Sequence, residues 1–150
     1  MDSKQNTGEL SEKLASFGAE LSKIQYDFKI KNTTSEKYWS KRIKEFNNYH
    51  QKVVEYFTQV YSLMGLANEE QAGLFLLKLS KLKRFGVKLS ESMKKIQQNP
   101  SAMNMKDTPQ SKWSIELREG LIKSNQDCLN HEKHMNVFFR DFYEKNLKTK

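Results

Sequence analysis

Apolar residues recur along this chain at alternating steps of three and four, the period of a helix that buries one face. One row reads Trp39, Ile43, Phe46, His50, Val53, Phe57, Val60 and Met64 without a fault. The next reads Ala72, Phe75, Leu79, Leu82, Gly86, Leu89, Met93 and Ile96. The last reads Trp113, Leu117, Leu121, Ser124, Cys128, His131, Met135, Phe138 and Phe142. Its middle is weak, because Ser124, Cys128 and His131 stand where leucine would pack better. An earlier row, Leu10, Leu14, Phe17, Leu21, Ile24 and Phe28, precedes all three. The spacing predicts helices over about 8–31, 36–64, 69–98 and 111–147. The fold class that follows is all-α: an elongated antiparallel bundle of four helices with coiled-coil-like packing, forming a single domain over residues 1–150.

Local signals place the boundaries. Thr33 and Glu36 have capping-box spacing, so a helix starts after Asn32-Thr33-Thr34-Ser35. Gly65 suits a left-handed helix end. Asn68 suits an N-cap, with Glu69 and Glu70 at the positive end of the dipole. So short a turn makes the second and third helices an antiparallel hairpin. Asn99-Pro100 stops the third helix. Residues 99–110 read as a linker, and residues 1–7 as a flexible N-terminus. Thr108-Pro109 within the linker has the form of a proline-directed phosphorylation site.

Composition narrows the class. Of 150 residues, 37% are apolar, with only two prolines and six glycines. That disfavours a turn-rich β-sandwich and a large spherical core, and favours helices with narrow stripes. No apolar run reaches the ~18 residues of a membrane span. The first seven residues are polar, unlike a signal peptide. Cys128 is the only cysteine, which leaves no internal disulfide. An intracellular, cytoplasmic location is the expectation.

Two helices carry more apolar surface than one face can bury. In the last, Ile115, Ile122 and Leu129 repeat by sevens, roughly 150° from the main row on a helical wheel. In the third, Ala72, Leu74, Phe75, Leu76 and Leu77 cover most of the circumference. Such surplus is met either by neighbours within one bundle or by a second interface. The second choice makes Ile115, Ile122, Leu129, Leu74 and Leu77 candidate interface residues, toward a protein partner or a homodimer.

Net charge is +8, of which +4 falls within residues 66–99. Lys81, Arg84, Lys88 and Lys95 share a sector of roughly 60° behind the third helix's core row. Lys37, Lys41, Lys44 and Lys52 stand behind the second helix's core row. Either this is a solvated helix back or it contacts an anionic surface. The architecture over residues 36–147 resembles curved, BAR-type membrane modules, a likeness that rests on no motif. It implies a peripheral membrane binder. Tyr38, Tyr49 and Tyr56 flank the basic residues, as in some single-strand binders. Zinc-finger spacing and an RNP signature are both missing, so nucleic acid is not the expected ligand.

Candidate chemistry is sparse. Cys128, His131 and His134 are spaced i, i+3, i+6, but on one helix they fan over roughly 120°. A metal site would need His50, or an acid such as Glu55 or Glu132, to complete it. There is no glycine-rich phosphate loop and no nucleophile elbow. Cys128 falls mid-helix, where backbone donors are already engaged. The expectation is therefore a non-enzymatic helical scaffold or adaptor, with no metal, cofactor or small-molecule substrate. The alternative is the membrane-binding module.

Overall fold

The structure, a computed structural model, describes residues 12–13, 15–16, 19–20, 23, 25–104 and 111–146. Three long helices dominate them: α1 (Glu36–Ala67), α2 (Glu69–Gln98) and α3 (Lys112–Asn146). No strand occurs among the described residues, so the chain is all-α.

Each start is capped by a side chain. Ser35 accepts from the Tyr38 N–H, Asn68 from the Gln71 N–H and Ser111 from the Ser114 N–H. Such caps contribute about 1 kcal/mol each. The first differs from the expected cap at Thr33. Ser35 holds the cap, while the Thr33 carbonyl accepts from the Trp39 indole N–H at 3.0 Å. Gly65 also departs from expectation. No described glycine has positive φ, and α1 runs on through Gly65 to Ala67. The stop is Asn68, whose extended backbone ends α1 while its side chain opens α2.

α2 is the central helix. It packs antiparallel to α1, with Ser40 opposite Gln97 and Phe57 opposite Phe75. It packs antiparallel to α3, with Ser92 opposite Ser124 and Phe75 opposite Phe138. The backbones of α1 and α3 have few close approaches, so both lean on α2. All the predicted core positions of α1 except half-buried His50, and all those of α2, are buried. On α3 the buried positions are Leu121, Cys128, Glu132, Met135 and Phe142. Trp113, expected in the core, is 54% exposed at the first turn of α3.

The four-helix expectation holds only in part. The described residues between 12 and 20 are helical, but residues 25–35 are not. The predicted row Leu10, Leu14, Phe17, Leu21 and Ile24 lies outside the described residues. Its last member, Phe28, sits in an extended strap. Along residues 25–30 exposure alternates strictly, with Tyr26, Phe28 and Ile30 turned inward. That is the period of extended chain, not of helix. The strap fills the space between α1 and α3. The Phe28 ring meets Phe46 and Tyr49 of α1, and its carbonyl accepts from Asn125 of α3 at 2.6 Å. Arg42 donates to the Asp27 carbonyl and lies 4.1 Å over the Tyr26 ring.

The expected linker is likewise part structure. Pro100–Met103 form a 3-10 turn whose Ala102 and Met103 are buried in the core. Arg118 of α3 holds that turn through the Ala102 carbonyl. Residues 105–110, with Thr108-Pro109, lie outside the described residues.

Candidate functional site

Two places in this fold combine chemistry with geometry: a polar cluster inside the bundle and an apolar groove on its surface.

The cluster joins α1 to α3 across the floor of the strap. The Tyr49 hydroxyl donates to Glu132 Oε1 at 2.6 Å. Cys128, one turn before Glu132 on α3, directs its thiol at Oε2 from 3.9 Å. His50 follows Tyr49 on α1 and stacks on Phe46 with ring centroids 5.3 Å apart. Space for the imidazole comes from α2, where Gly86 presents no side chain: a β-carbon there would lie 2.0 Å from His50 Nε2. The strap roofs the cluster, with Tyr26 stacked on Tyr49 and its hydroxyl on Met93 of α2.

Burial governs the protonation of this group. It pushes the Glu132 carboxyl up from 4.5 to about 7, against the lowering effect of the Tyr49 and Cys128 hydrogen bonds. Burial also pushes the Cys128 thiol up, and the nearby Glu132 adds to the effect. Tyr49 rises for the same two reasons. His50 is lowered by burial and is therefore a neutral imidazole near pH 7. Its Nδ1 is buried without a hydrogen-bond partner. Such an orphan costs on the order of 1–3 kcal/mol. A thiol raised this way is not an activated nucleophile.

The predicted run Cys128, His131 and His134 does not assemble. Only Cys128 faces the cluster. His131 donates through Nε2 to the Lys78 carbonyl at 2.7 Å, and His134 accepts from the Lys78 ammonium at 2.8 Å. Instead, among the described residues, His50, Cys128 and Glu132 place an imidazole nitrogen, a sulfur and a carboxylate oxygen within 4.8 Å of one another. Sequence reasoning set Cys128 with His131 and His134, and offered His50, Glu55 or Glu132 only as what would complete that set. It did not separate these from His131, His134 and Glu55, since the register between α1 and α3 is set by the packing of both on α2.

The groove lies between α2 and α3. Leu74, Leu77 and Phe138 line it, with Lys78, Lys81, His131 and His134 around them. Leu74 is 45% and Leu77 69% exposed. Ile122 is 49% exposed, while Ile115 and Leu129 are half-buried. On the α3 wheel Ile122 points roughly 180° from His131. The five predicted interface residues therefore fall on two separate surfaces.

The predicted basic residues Lys37, Lys41 and Lys44 on α1, and Lys81, Arg84, Lys88 and Lys95 on α2, are all exposed. Lys41 pairs loosely with Glu45 at 3.9 Å. Lys81 lies over the Phe85 ring at 5.6 Å. Among the described residues no helix is long and apolar enough to cross a membrane.

Comparison of the chain with protein-family models, with curated proteins and with solved structures finds no match in any of the three.

Proposed function

We propose that this protein is a non-enzymatic helical scaffold that binds another protein through the groove between α2 and α3. The observation that carries the reading is the exposure of Leu74 and Leu77 beside Phe138, ringed by lysines and histidines. Large apolar side chains grouped in an exposed groove are a recurrent mark of an interaction surface. Fully burying a leucine is worth roughly 1.5–3 kcal/mol, so two leucines and a phenylalanine make a credible anchor. The cationic rim selects the occupant. An amphipathic helix with apolar residues at i and i+3 or i+4 and acidic flanks fits both parts. Burial and Glu132 raise the Cys128 thiol, so without a metal it is no activated nucleophile.

A photocrosslinking residue placed at Leu77 tests this in cells that express the protein. A discrete protein adduct from position 77, lost on Leu74→Asp and absent from the same probe at exposed Lys83, is the expected outcome. No adduct from position 77 would refute the reading. Light scattering then separates the two kinds of occupant. A mass of twice the 17.7 kDa chain, reduced to one chain by Leu74→Asp, identifies a second copy.

The exposed row Lys81, Arg84, Lys88 and Lys95 favours a second reading, a peripheral membrane binder. Each lysine or arginine near an anionic surface contributes about 1 kcal/mol, screened by salt. Co-sedimentation with vesicles that requires anionic lipid and falls with salt supports it, and no binding at low salt removes it.

A further inference from the structure

Three kinds of metal-ligating group meet at one point inside the bundle. His50 arrives from α1. Cys128 and Glu132 arrive from successive turns of α3, where a separation of four puts both on one face. Their ligand atoms lie within 4.8 Å of one another. We propose that His50, Cys128 and Glu132 form a binding site for a divalent cation of borderline softness, of the zinc class.

The donor set selects that class. A thiolate with an imidazole disfavours magnesium and calcium, which take oxygen ligands, and suits zinc or cobalt. Charge balance favours it as well. A thiolate and a carboxylate together cancel the charge of a divalent cation, so the occupied site adds no net charge to a buried region. Tetrahedral bonds of about 2.0–2.3 Å hold ligand atoms roughly 3.3–3.8 Å apart. Reaching that from the observed separations takes a closure on the order of 1 Å, within the range of side-chain rotation on fixed helices.

One feature points to a missing occupant, and a second shows how the imidazole is housed. His50 Nδ1 is buried and has no hydrogen-bond partner, although buried polar atoms are nearly always satisfied. Gly86 of α2 keeps the space for the imidazole open, since any β-carbon would collide with the ring. The surroundings also supply an outer shell. Tyr49 holds Glu132 Oε1 at 2.6 Å, which leaves Oε2 toward Cys128. Outer hydrogen bonds of this kind orient carboxylate ligands. Three protein ligands leave a fourth position for water or another exchangeable group. On binding, the Cys128 S–H bond breaks and its electron pair goes to the metal; its proton, with that of Glu132 where the carboxyl is protonated, leaves to solvent. The site is separate from the groove and does not depend on it.

Cobalt(II) titration of the reduced, full-length chain is the test. The expected result is the strong visible absorption of a tetrahedral site with a thiolate-to-cobalt charge-transfer band, saturating at one equivalent. Cys128→Ala should abolish the charge-transfer band. His50→Gln and Glu132→Gln should weaken binding at least tenfold. Circular dichroism checks the fold of each variant, and Cys128→Ser serves if Cys128→Ala unfolds. Zinc should raise the thermal midpoint of the wild type and leave that of the Cys128 variant unchanged. The site is overturned if tetrahedral absorption never appears with cobalt in excess. It is equally overturned if the absorption survives Cys128→Ala, or is lost in His134→Ala, which would assign the metal to the surface pair His131 and His134.

Discussion

His50 and Gly86 occupy one space. The imidazole of α1 lies so close to α2 that a β-carbon on residue 86 would stand 2.0 Å from Nε2 and 2.3 Å from Cε1. The missing side chain on one helix is thus the complement of the large one on the other. Gly86→Ala should therefore destabilise the fold by roughly 1–3 kcal/mol through overpacking. It does so despite the ~1 kcal/mol that alanine gains over glycine within a helix. In a His50→Ala background the sign should reverse, and Gly86→Ala should stabilise by up to about 1 kcal/mol. Urea unfolding of the four proteins measures the coupling, and simple additivity would contradict it.

Position along α2 separates folding from binding. Phe75 is fully buried, whereas its neighbours Leu74 and Leu77 are exposed. Phe75→Ala should cost about 3–5 kcal/mol. Leu74→Ser and Leu77→Ser should stay within about 0.5 kcal/mol of wild type. Denaturant midpoints give the comparison. A large loss from either leucine would place it in the core.

Glu132 makes stability depend on pH. Burial raises its carboxyl from 4.5 to about 7 in the folded chain. Between those values the folded state holds a proton that the unfolded state has released. The stabilisation is thus complete below about 4.5 and is lost as pH rises through about 7. His50 acts in the opposite sense. Its lowered value gives stability that is present above 6.5 and falls away as pH drops below it. Glu132→Gln isolates the first effect, because it removes only the titrating carboxyl. In the presence of a chelator, the stability of the wild type relative to this variant should be about 2–3 kcal/mol greater at pH 5 than at pH 8. A flat difference would show that Glu132 is ionised throughout.

The strap should be separable from the helices. Two side chains hold its backbone, Arg42 at the Asp27 carbonyl and Asn125 at the Phe28 carbonyl. Arg42→Ala combined with Asn125→Ala should speed limited proteolysis within residues 25–30 by at least tenfold. Cleavage within α2, packed between α1 and α3, should hardly change. Equal acceleration across the chain would mean that the strap is integral to the bundle.

The three helices were legible because each keeps an unbroken three-and-four spacing, which the few polar positions and Gly86 do not interrupt. The strap was not, because two periods overlap there. Leu21, Ile24 and Phe28 continue the helical spacing, while Tyr26, Phe28 and Ile30 alternate as extended chain does. Tertiary packing in the gap between α1 and α3 decides for the second. Trp113 was misplaced because it begins a helix whose first turn has little to pack against. The polar positions His50, Ser124 and Cys128 were correctly seen to fall in the apolar rows. Their partners were not visible, since nothing in one row states which turn of another helix lies opposite.

Asn68 ends one helix and begins the next, so no loop stands between α1 and α2. A residue added within α1 would rotate every later side chain by about 100°, and one extended residue cannot absorb that. Length changes in this hairpin are tolerable only as matched pairs, near seven residues in each arm, which restore both faces together. The hairpin therefore grows or shrinks in steps of two turns, as a ruler does between its marks.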